Sequence, residues 1–251
     1  MVGGVFANEL MSSADLMGAK EWKITVYGQT VETKPEIDVN NVDAIQIPTI
    51  SGGSTVFSAA NAVIELEEKF HATIANFLFR PKDGLSYGIK IGQIRGFVVG
   101  FSSGSQTNSL EANKNGFLWG ANVKWNVSQG TMVSPAVALD FSLVNKSVPL
   151  DKFEAGGVTS PTDKMFEQDE YQLALNFSKR WKSLEPYGGL KGSRTVTRLK
   201  DGTTKECVRG EKDGISPFLG FQWDVFPGET IVVEGSLAEE KSFSAGMSLK
   251  F

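Results

Sequence analysis

Apolar residues alternate with polar or small residues along most of this chain. One segment shows the pattern very clearly, and its apolar positions are Phe117, Trp119, Ala121, Val123, Trp125 and Val127. A period of two is the spacing of a β-strand that has one apolar and one polar face. The same alternation returns in residues 136–143, 171–181, 215–225 and 231–238, and in weaker form in residues 185–199. Runs of about ten residues match a tilted strand that crosses a bilayer and exceed the usual length of a soluble strand.

Strands are also predicted in the first third of the chain. Residues 22–29 and 86–91 alternate clearly, residues 95–101 form an apolar run interrupted by glycine, and residues 71–79 are apolar on both faces. Residues 54–70 fit either a strand or a short helix behind a Ser/Thr cap. A strand there gives about twelve strands in total, whereas a helix gives about ten, with the N-terminal region as a plug or a periplasmic segment.

The links between the predicted strands alternate in length. The short links are 128–132, 182–184 and 226–229. The long polar links are 102–115, 145–169 and 199–212, while the link 239–241 is a tight exception. Short turns at one end and long extracellular loops at the other are typical of membrane barrels. We therefore predict an all-β fold, a transmembrane antiparallel up-and-down β-barrel.

The last ten residues also alternate, and they end on an aromatic residue. Their apolar positions are Phe243, Ala245, Met247, Leu249 and Phe251. This pattern resembles the C-terminal strand of porin-like Gram-negative outer-membrane β-barrel proteins, in which it is the assembly signal. The resemblance covers the chain from about Trp22 onward. It implies a multi-pass barrel in the bacterial outer membrane, with outer-membrane lipid and the barrel-assembly machinery as partners.

Six aromatic residues lie near the ends of predicted strands. They are Trp22, Trp119, Trp125, Tyr171, Trp181 and Trp223. Indole and phenol rings prefer the headgroup level of a bilayer, because they combine an apolar body with a hydrogen-bonding group. We expect them to form two aromatic girdles, one at each membrane surface. The alternative is that they fill the core of a soluble β-sandwich.

The chain is predicted to form one domain behind a short N-terminal segment. Residues 22–251 make up the barrel, since no linker divides them. In residues 1–21, the stretch from Val5 to Ala7 has the small-x-small character of a signal-peptide cleavage site. That segment is either a signal-peptide remnant or an ordinary flexible terminus. No apolar stretch approaches the ~20 residues of a transmembrane helix.

Charge and reactive residues narrow the function further. The net charge of −4, with scattered Lys and Arg, gives no basic field for nucleic acid. Cys207 is the only cysteine, so it is either free or paired between chains, and His71 is the only histidine. These counts exclude a disulfide framework, a thiolate zinc site and a multi-histidine metal site. We expect no cofactor, no metal and no enzymatic activity, and a barrel hydrolase using His71 is a distant alternative.

The inward faces of the predicted strands carry polar residues of both signs. The pore-lining candidates are Lys23, Tyr27, Lys90, Asn122, Lys124, Asp140, Gln172, Asn176, Lys191, Gln222, Asp224 and Glu234. Barrels of about eight strands are filled by side chains, whereas barrels near sixteen strands hold open aqueous pores. The first hypothesis is therefore a small passive channel for ions or small polar solutes. The alternative is a closed-lumen structural or surface-interaction barrel whose extracellular loops bind a partner or an envelope layer. Porin-like proteins are often trimers, so the resemblance also admits a homo-oligomer.

Overall fold

The computed structural model describes residues 20–33, 36–38, 45–48, 54–57, 63–103, 106–130, 134–155, 157–201, 207–237 and 240–251. Strands account for most of these residues. The strands are β1 (Glu21–Thr33), β2 (Glu36–Asp38), β3 (Ile45–Pro48), β4 (Ser54–Phe57), β5 (Val63–Lys82), β6 (Leu85–Ser103), β7 (Gln106–Glu111), β8 (Gly116–Gln129), β9 (Ala136–Ala155), β10 (Val158–Ser178), β11 (Leu184–Asp201), β12 (Cys207–Phe226), β13 (Glu229–Leu237) and β14 (Glu240–Lys250). No helix in this part of the chain is long and apolar enough to span a membrane.

The long strands form one closed antiparallel ring. Strand β1 pairs with β14 on one side and with β5 on the other, and the ring continues through β6, β8, β9, β10, β11, β12 and β13. Strands β7 and β8 follow one another along a single track, because both pair with β6 and with β9. Over the described residues, the ring therefore has ten strand positions. The predicted antiparallel barrel is confirmed. Of the two predicted strand counts, about twelve and about ten, the ring matches ten.

The N-terminal third adds short strands to this ring. Strand β2 pairs with the start of β5, and β3 pairs with β4 as a separate hairpin. The alternative prediction of a helix in residues 54–70 is wrong for the residues that the structure describes. Residues 54–57 form β4, and residues 63–70 belong to β5. Residues 58–62 lie outside the described part, as do residues 1–19 with the candidate cleavage site.

The three long polar links are β-hairpins over most of their length, so the prediction of long loops there is wrong. Strand β7 lies within the link 102–115. In the link 145–169, β9 continues to Ala155 and β10 begins at Val158. In the link 199–212, β11 continues to Asp201 and β12 begins at Cys207. The polar composition of these links favours loops, but their alternation continues, and Val148 still faces inward. The predicted short links at 182–184 and 226–229 contain turns, whereas residues 131–133 of the third lie outside the described part. At the same end, Gly84 and Gly228 adopt positive φ angles of 80° and 84° in turns.

A β-bulge interrupts the alternation of β6. Between the pairs Lys69–Val98 and His71–Arg95, strand β6 has one more residue than β5. Gly96 adopts a φ of 58°, which a residue without Cβ accepts readily. As a result, both Ile94 and Phe97 are buried in the barrel, although they are three residues apart.

The outer face of the wall consists of an apolar band and a charged belt. The apolar band comprises the exposed residues Val26, Phe77, Ile89, Val123, Phe141, Leu173, Leu190, Leu219 and Met247, with their outward neighbours. The charged belt follows on the side away from the short turns, and it comprises Glu32, Lys69, Arg95, Asp169, Arg194, Arg198, Arg209, Glu211 and Lys241, with their outward neighbours. The strands extend far past the band on this side, which is the extracellular side in such barrels.

Candidate functional site

The half of the barrel interior next to the short turns, together with the wall of β10–β12, is filled by polar side chains. Eleven of the twelve nominated pore-lining residues point inward and are buried. They are Lys23, Tyr27, Lys90, Asn122, Lys124, Asp140, Gln172, Asn176, Lys191, Gln222 and Glu234. Lys191 and Glu234 have an exposed fraction of 0%, and Lys90 and Lys124 have 3%. Side chains that line a wide aqueous channel would be accessible to water, so the lumen is filled at these levels.

Asp224 is placed differently from the other nominated residues. It lies at the periplasmic rim, where it forms an ion pair with Arg180 and accepts a hydrogen bond of 2.9 Å from the Thr230 hydroxyl. Both residues, with Lys250 and the β12–β13 turn, line a cavity of 430 Å³. The placement of Asp224 within the lumen is therefore corrected to the mouth of the barrel. Asp224 keeps the inward phase of Gln222, but it lies two residues from the end of β12, so its side chain is at the rim.

Buried charges of both signs are present in the interior. Among the described residues, seven basic and five acidic side chains are buried. The basic residues are Lys23, Arg80, Lys90, Lys124, Lys146, Lys191 and Lys212, and the acidic ones are Glu68, Asp140, Glu170, Glu185 and Glu234. A charge buried without a partner costs several kcal/mol, so such groups persist only when they satisfy one another. The interior is therefore organised as an ion-paired network.

Tyr187 shows how the polar filling is positioned. Its hydroxyl donates a hydrogen bond of 2.9 Å to Oε2 of Glu234, reaching over Gly220 of β12 from β11 to β13. Its ring contacts Phe218, with ring centroids 6.4 Å apart. The weak alternation of residues 185–199 places Tyr187 on the same face as Lys191, although Tyr187 is not among the nominated lining residues.

Some buried polar atoms of the interior have no hydrogen-bond partner in the protein. They include Oδ1 of Asn76, Oδ1 of Asn122, Nε2 of Gln222 and Oγ of Ser244. Buried polar atoms in native proteins are nearly always hydrogen-bonded to protein or to ordered water. These atoms are the positions of the described interior at which ordered water could bind between the packed side chains.

A second ionic cluster is centred on Lys146, further toward the extracellular end. The Lys146 ammonium group donates a hydrogen bond of 2.7 Å to Oε1 of Gln168 and lies 3.7 Å from Oε2 of Glu170. It also lies 5.0 Å from the ring centroid of Phe70. The Gln168 amide donates to Oε2 of Glu68 at 3.4 Å. Lys146 therefore holds two buried carboxylates together on the inner wall.

Sequence reasoning missed this cluster. Lys146, Gln168 and Glu170 lie within or next to a stretch assigned to an external loop, and Glu68 lies in the segment left open between helix and strand. Only the continued alternation through Lys146, Val148 and Leu150 could have indicated an inward lysine.

Next to the Lys146 cluster, the extracellular end of the interior is apolar. Phe70, Phe97 and Phe166, here called the phenylalanine cluster, are buried, and their rings are in contact. The centroid of Phe97 lies 6.0 Å from that of Phe70 and 4.8 Å from that of Phe166. Surrounding them are the buried residues Ile94, Val99, Leu110, Leu118, Val144, Val148, Leu150 and Phe153. These apolar side chains pack against the Lys146 cluster on one wall of the extracellular half of the interior.

The nominated girdle residues all lie on the outer face. Trp22, Trp119, Trp125, Tyr171, Trp181 and Trp223 are exposed. The apolar positions of the final strand also point outward, namely Phe243, Ala245, Met247, Leu249 and Phe251. Strand β14 that carries them completes the ring through eleven consecutive pairs with β1. The aromatic girdles and the assembly signal stay predictions, and these positions are compatible with both.

Ion pairs connect neighbouring strands in the charged belt. Lys69 lies 3.0 Å from Glu67 and 3.6 Å from Glu32. The pKa of Lys69 is raised because Glu67 accepts its hydrogen bond and both carboxylates carry negative charge. Hydrogen bonding by Arg194 lowers the pKa of the Glu211 carboxyl, and the charges of Arg194 and Arg209 act in the same direction.

His71 lies in the same belt on the outer face of β5. Its Nδ1 atom is 3.0 Å from the Thr30 hydroxyl. The histidine therefore faces away from the lumen. The side chain of Cys207 lies outside the described residues.

A closed antiparallel ring with an apolar outer band and a polar interior is the architecture of a transmembrane β-barrel. In Gram-negative bacteria such barrels lie in the outer membrane. This chain is a β-barrel of the bacterial outer membrane.

Solved structures with this fold match almost the whole chain. The outer membrane protease OmpT from Escherichia coli is similar with a TM-score of 0.50 and 12% identity, over 95% of this chain and 100% of that chain. The translocator domain of the autotransporter NalP from Neisseria meningitidis has a TM-score of 0.48 and 10% identity, over 95% and 91% of the two chains. Ail, the attachment invasion locus protein of Yersinia pestis, has a TM-score of 0.32 and 10% identity, over 93% and 99%. No protein-family model and no curated protein sequence matches the chain. The likeness to OmpT is one of fold.

Proposed function

We propose that this protein is a closed-lumen outer-membrane barrel that acts through its extracellular surface. The burial of eleven of the twelve nominated lining residues is the observation that supports this proposal. Their ammonium, carboxylate and amide groups pack against one another in the interior instead of lining an open path. A barrel with ten strand positions is close in size to the eight-stranded barrels that side chains fill.

The apolar packing around the phenylalanine cluster supports closure independently. Phe70, Phe97 and Phe166 occupy part of the lumen and offer no hydrogen bonds to an ion that crosses the barrel. Apolar constrictions block ions because water leaves them. The polar filling and the phenylalanine cluster are thus two successive barriers, and loss of one leaves the other in place.

A small passive channel is the second candidate. The buried polar atoms without a protein partner, such as Oδ1 of Asn122 and Nε2 of Gln222, favour it, because they imply water within the polar filling. Such a channel would need the phenylalanine cluster to move aside.

Conductance measurements distinguish the two candidates. We expect the purified, refolded chain to give no steady steps in a planar bilayer, even when its insertion is shown by quenching of tryptophan fluorescence by brominated lipid. Steady steps whose ion selectivity changes in Lys124→Glu would contradict closure and support the channel. The outward substitution Lys114→Glu is the matched control, because Lys114 is exposed in the link between β7 and β8.

The extracellular hairpins are the surface that a closed barrel offers to a partner. Strands β9 and β10 pair continuously from the apolar band to Ala155 and Val158, with one irregularity between Pro161 and Lys164. A paired hairpin is a more rigid platform than a loop of equal length, since its backbone is already ordered. Replacing residues 154–160 by a short turn should leave the barrel folded and abolish binding of any surface partner. If the partner bound whole cells equally well after this replacement, the β9–β10 hairpin would be excluded as its binding site.

We also propose that the chain has no hydrolytic activity. His71 lies on the outer wall and is hydrogen-bonded to Thr30, which supports a structural or interfacial role. Peptide and lipid hydrolysis by the wild type and by His71→Ala should be equally absent. Activity that disappears in His71→Ala would overturn this proposal.

A further inference from the structure

The extracellular part of the wall is interrupted beside β12. Strands β13 and β14 stop early, and the outermost pair between β12 and β13 is Phe218–Ser236. Strand β12 extends further on the extracellular side, as far as Cys207, and it pairs with β11 along this whole stretch. On its other side, none of the described strands pairs with β12 beyond Phe218. Residues 209–215 of β12 therefore form an open sheet edge, here called the β12 edge.

Hydrogen bonds at two points of β12 show which backbone groups lie on this edge. In an antiparallel sheet, the N–H and C=O groups of successive residues point alternately to the two neighbouring strands. The N–H group of Asp224 donates to Ser183, next to β11, whereas the Pro217 carbonyl accepts a hydrogen bond of 3.1 Å from the Ser236 hydroxyl on β13. The pairing of β12 with β11 has no register shift. Even-numbered residues of β12 therefore point to β11, and odd-numbered residues point to the open side.

Pro217 marks the beginning of the open side. Proline has no N–H group, so within a sheet it is tolerated where no neighbouring strand needs a donor. The residues that direct their N–H and C=O groups to the open side beyond Pro217 are Arg209, Glu211, Asp213 and Ile215. Among the described strands, none pairs with these groups on that side. A row of backbone donors and acceptors of this kind is a template for another strand.

Strand β2 lies beside β12 without pairing with it. Cα atoms of the two strands come within 8 Å of each other. In the described part of the chain, β2 pairs with β5 alone, through Glu36, Ile37 and Asp38. Its register on β5 is that of β1, so β2 continues the track of β1 along β5. Because only three residue pairs hold β2, local opening can release it at small cost and admit another strand beside β12.

Two side chains on the outer face select the strand that the β12 edge can accept. Ile215 is 69% exposed, although it is a large apolar residue. Asp213 is exposed, and none of the described side chains forms an ion pair with it. By contrast, Glu211 is already bound by Arg194 and Arg209. Residues that lie directly opposite each other on antiparallel strands interact, so an apolar residue suits the position opposite Ile215 and a basic residue suits the position opposite Asp213.

We propose that the β12 edge is a strand-addition site for an extended peptide segment of an extracellular protein. The segment runs antiparallel to β12, with an apolar residue opposite Ile215 and, two positions later, a basic residue opposite Asp213. A second copy of this chain in the same membrane does not fit, because its β12 runs in the same direction. The inference names a partner for the extracellular surface, and it rests on the proposed function for its biological role. Conductance by the refolded chain would contradict closure of the lumen and leave this site in place.

Hydrogen exchange of the refolded chain in detergent, followed by NMR, tests whether the edge is open. The amides of Glu211, Asp213 and Ile215 should exchange about tenfold faster than those of Lys212 and Gly214, which point to β11. Equal protection of both sets in the chain alone would show that β2 or another segment of the chain already pairs with this edge. That result would overturn the proposal.

A synthetic peptide with capped ends and the sequence Thr-Thr-Val-Thr-Lys-Thr-Thr is the probe for binding. Its valine lies opposite Ile215 and its lysine lies opposite Asp213. We expect the peptide to slow exchange of the edge amides. Asp213→Pro should weaken its binding about tenfold, because one N–H group of the edge is lost while the pairs with β11 remain. Asp213→Asn is the matched control, since it removes the charge but keeps the N–H group, and it should weaken binding less.

Backbone methylation of the peptide provides a second control on the wild-type chain. Methyl groups on the valine and lysine amides, which point to β12, should abolish binding. Methyl groups on the threonine amides that precede these two residues point away from β12 and should be tolerated. Equal binding of the two methylated peptides would overturn strand addition. Equal losses in Asp213→Asn and Asp213→Pro would also overturn it, because the carboxylate alone would then recognise the peptide. The different gel mobilities of heated and unheated samples verify the folding of each variant.

Discussion

The ring of Tyr187 lies over Gly220, the residue with which it pairs on the neighbouring strand. A Cβ on Gly220 would come within 2.5 Å of Tyr187 Cζ. Gly246 also pairs with an inward tyrosine, and a Cβ there would lie 2.4 Å from Tyr27 Cβ. Gly220 thus provides the space in which the ring of Tyr187 lies against the inner wall.

Gly220→Ala should destabilise the barrel by about 1–3 kcal/mol, because the added methyl group forces Tyr187 out of its position. Reversible urea unfolding in lipid vesicles, followed by tryptophan fluorescence, measures this change. A Cβ on Gly220 would also lie 2.6 Å from the Val233 carbonyl oxygen, so in a double-mutant cycle with Tyr187→Ala the Gly220→Ala substitution should cost less but still destabilise the barrel. Additive costs would show that the ring and the glycine do not interact. Gly28→Ala is the control, because a Cβ there meets no atom within 4 Å.

Tyr187→Phe should cost about 1–3 kcal/mol, since the buried Oε2 of Glu234 loses the hydroxyl that donates to it at 2.9 Å. The same unfolding assay measures it. Tyr171→Phe removes a hydroxyl from the outer face, where solvent or headgroups replace its contacts, and should change stability by less than about 0.5 kcal/mol. An equal effect of both substitutions would contradict a buried role for the Tyr187 hydroxyl.

Lys146→Met should be strongly destabilising, by about 3–5 kcal/mol, because it leaves Glu68 and Glu170 buried without their shared cation. Lys200→Met removes a lysine from the partly exposed pair with Glu167 and should cost about 0–1 kcal/mol. Adding Glu170→Gln to Lys146→Met should recover part of the loss. A small effect of Lys146→Met would mean that water hydrates this cluster.

Leu173→Arg should destabilise the inserted barrel by about 2–4 kcal/mol, because Leu173 is exposed at the middle of the apolar band. The comparison is Asn145→Arg in the charged belt, where the Asn145 amide already donates a hydrogen bond to Asp169 at 2.7 Å. That substitution should cost no more than about 1 kcal/mol. If the two costs were equal, the boundary between band and belt would be misplaced.

The Glu211 carboxyl should titrate below its ordinary pKa of 4.5, because it accepts a hydrogen bond from Arg194. A lowered pKa in the folded state means that the pair stabilises the barrel above pH 4.5 and that this contribution disappears as the pH falls through the folded value. A carbon-detected NMR titration measures the pKa. In Arg194→Gln it should return toward 4.5, and an unchanged value would exclude Arg194 as the main cause.

The local pattern of the sequence determines the strands and their two faces. The alternation through Phe117 and Trp125 predicts β8, and the inward phase of Lys124, Asp140 and Asn176 agrees with the burial of these residues. The alternation of residues 243–251 resembles the final strand of outer-membrane barrels, and together with the other strands it predicts this architecture. The reason is that a period of two fixes which side chains share a face before any partner strand is known.

Tertiary structure decides what these faces do. Whether lumen-facing side chains line a pore or fill it depends on the number of strands and on which residues meet across the interior, as Tyr187 and Glu234 do. Neither the pair of Lys146 with Glu170 nor the contact of Phe97 with Phe166 is visible in the sequence, because these partners are far apart along the chain. The bulge at Gly96 also changes the phase of β6, so it is the pairing with β5 that turns both Arg95 and Gly96 outward.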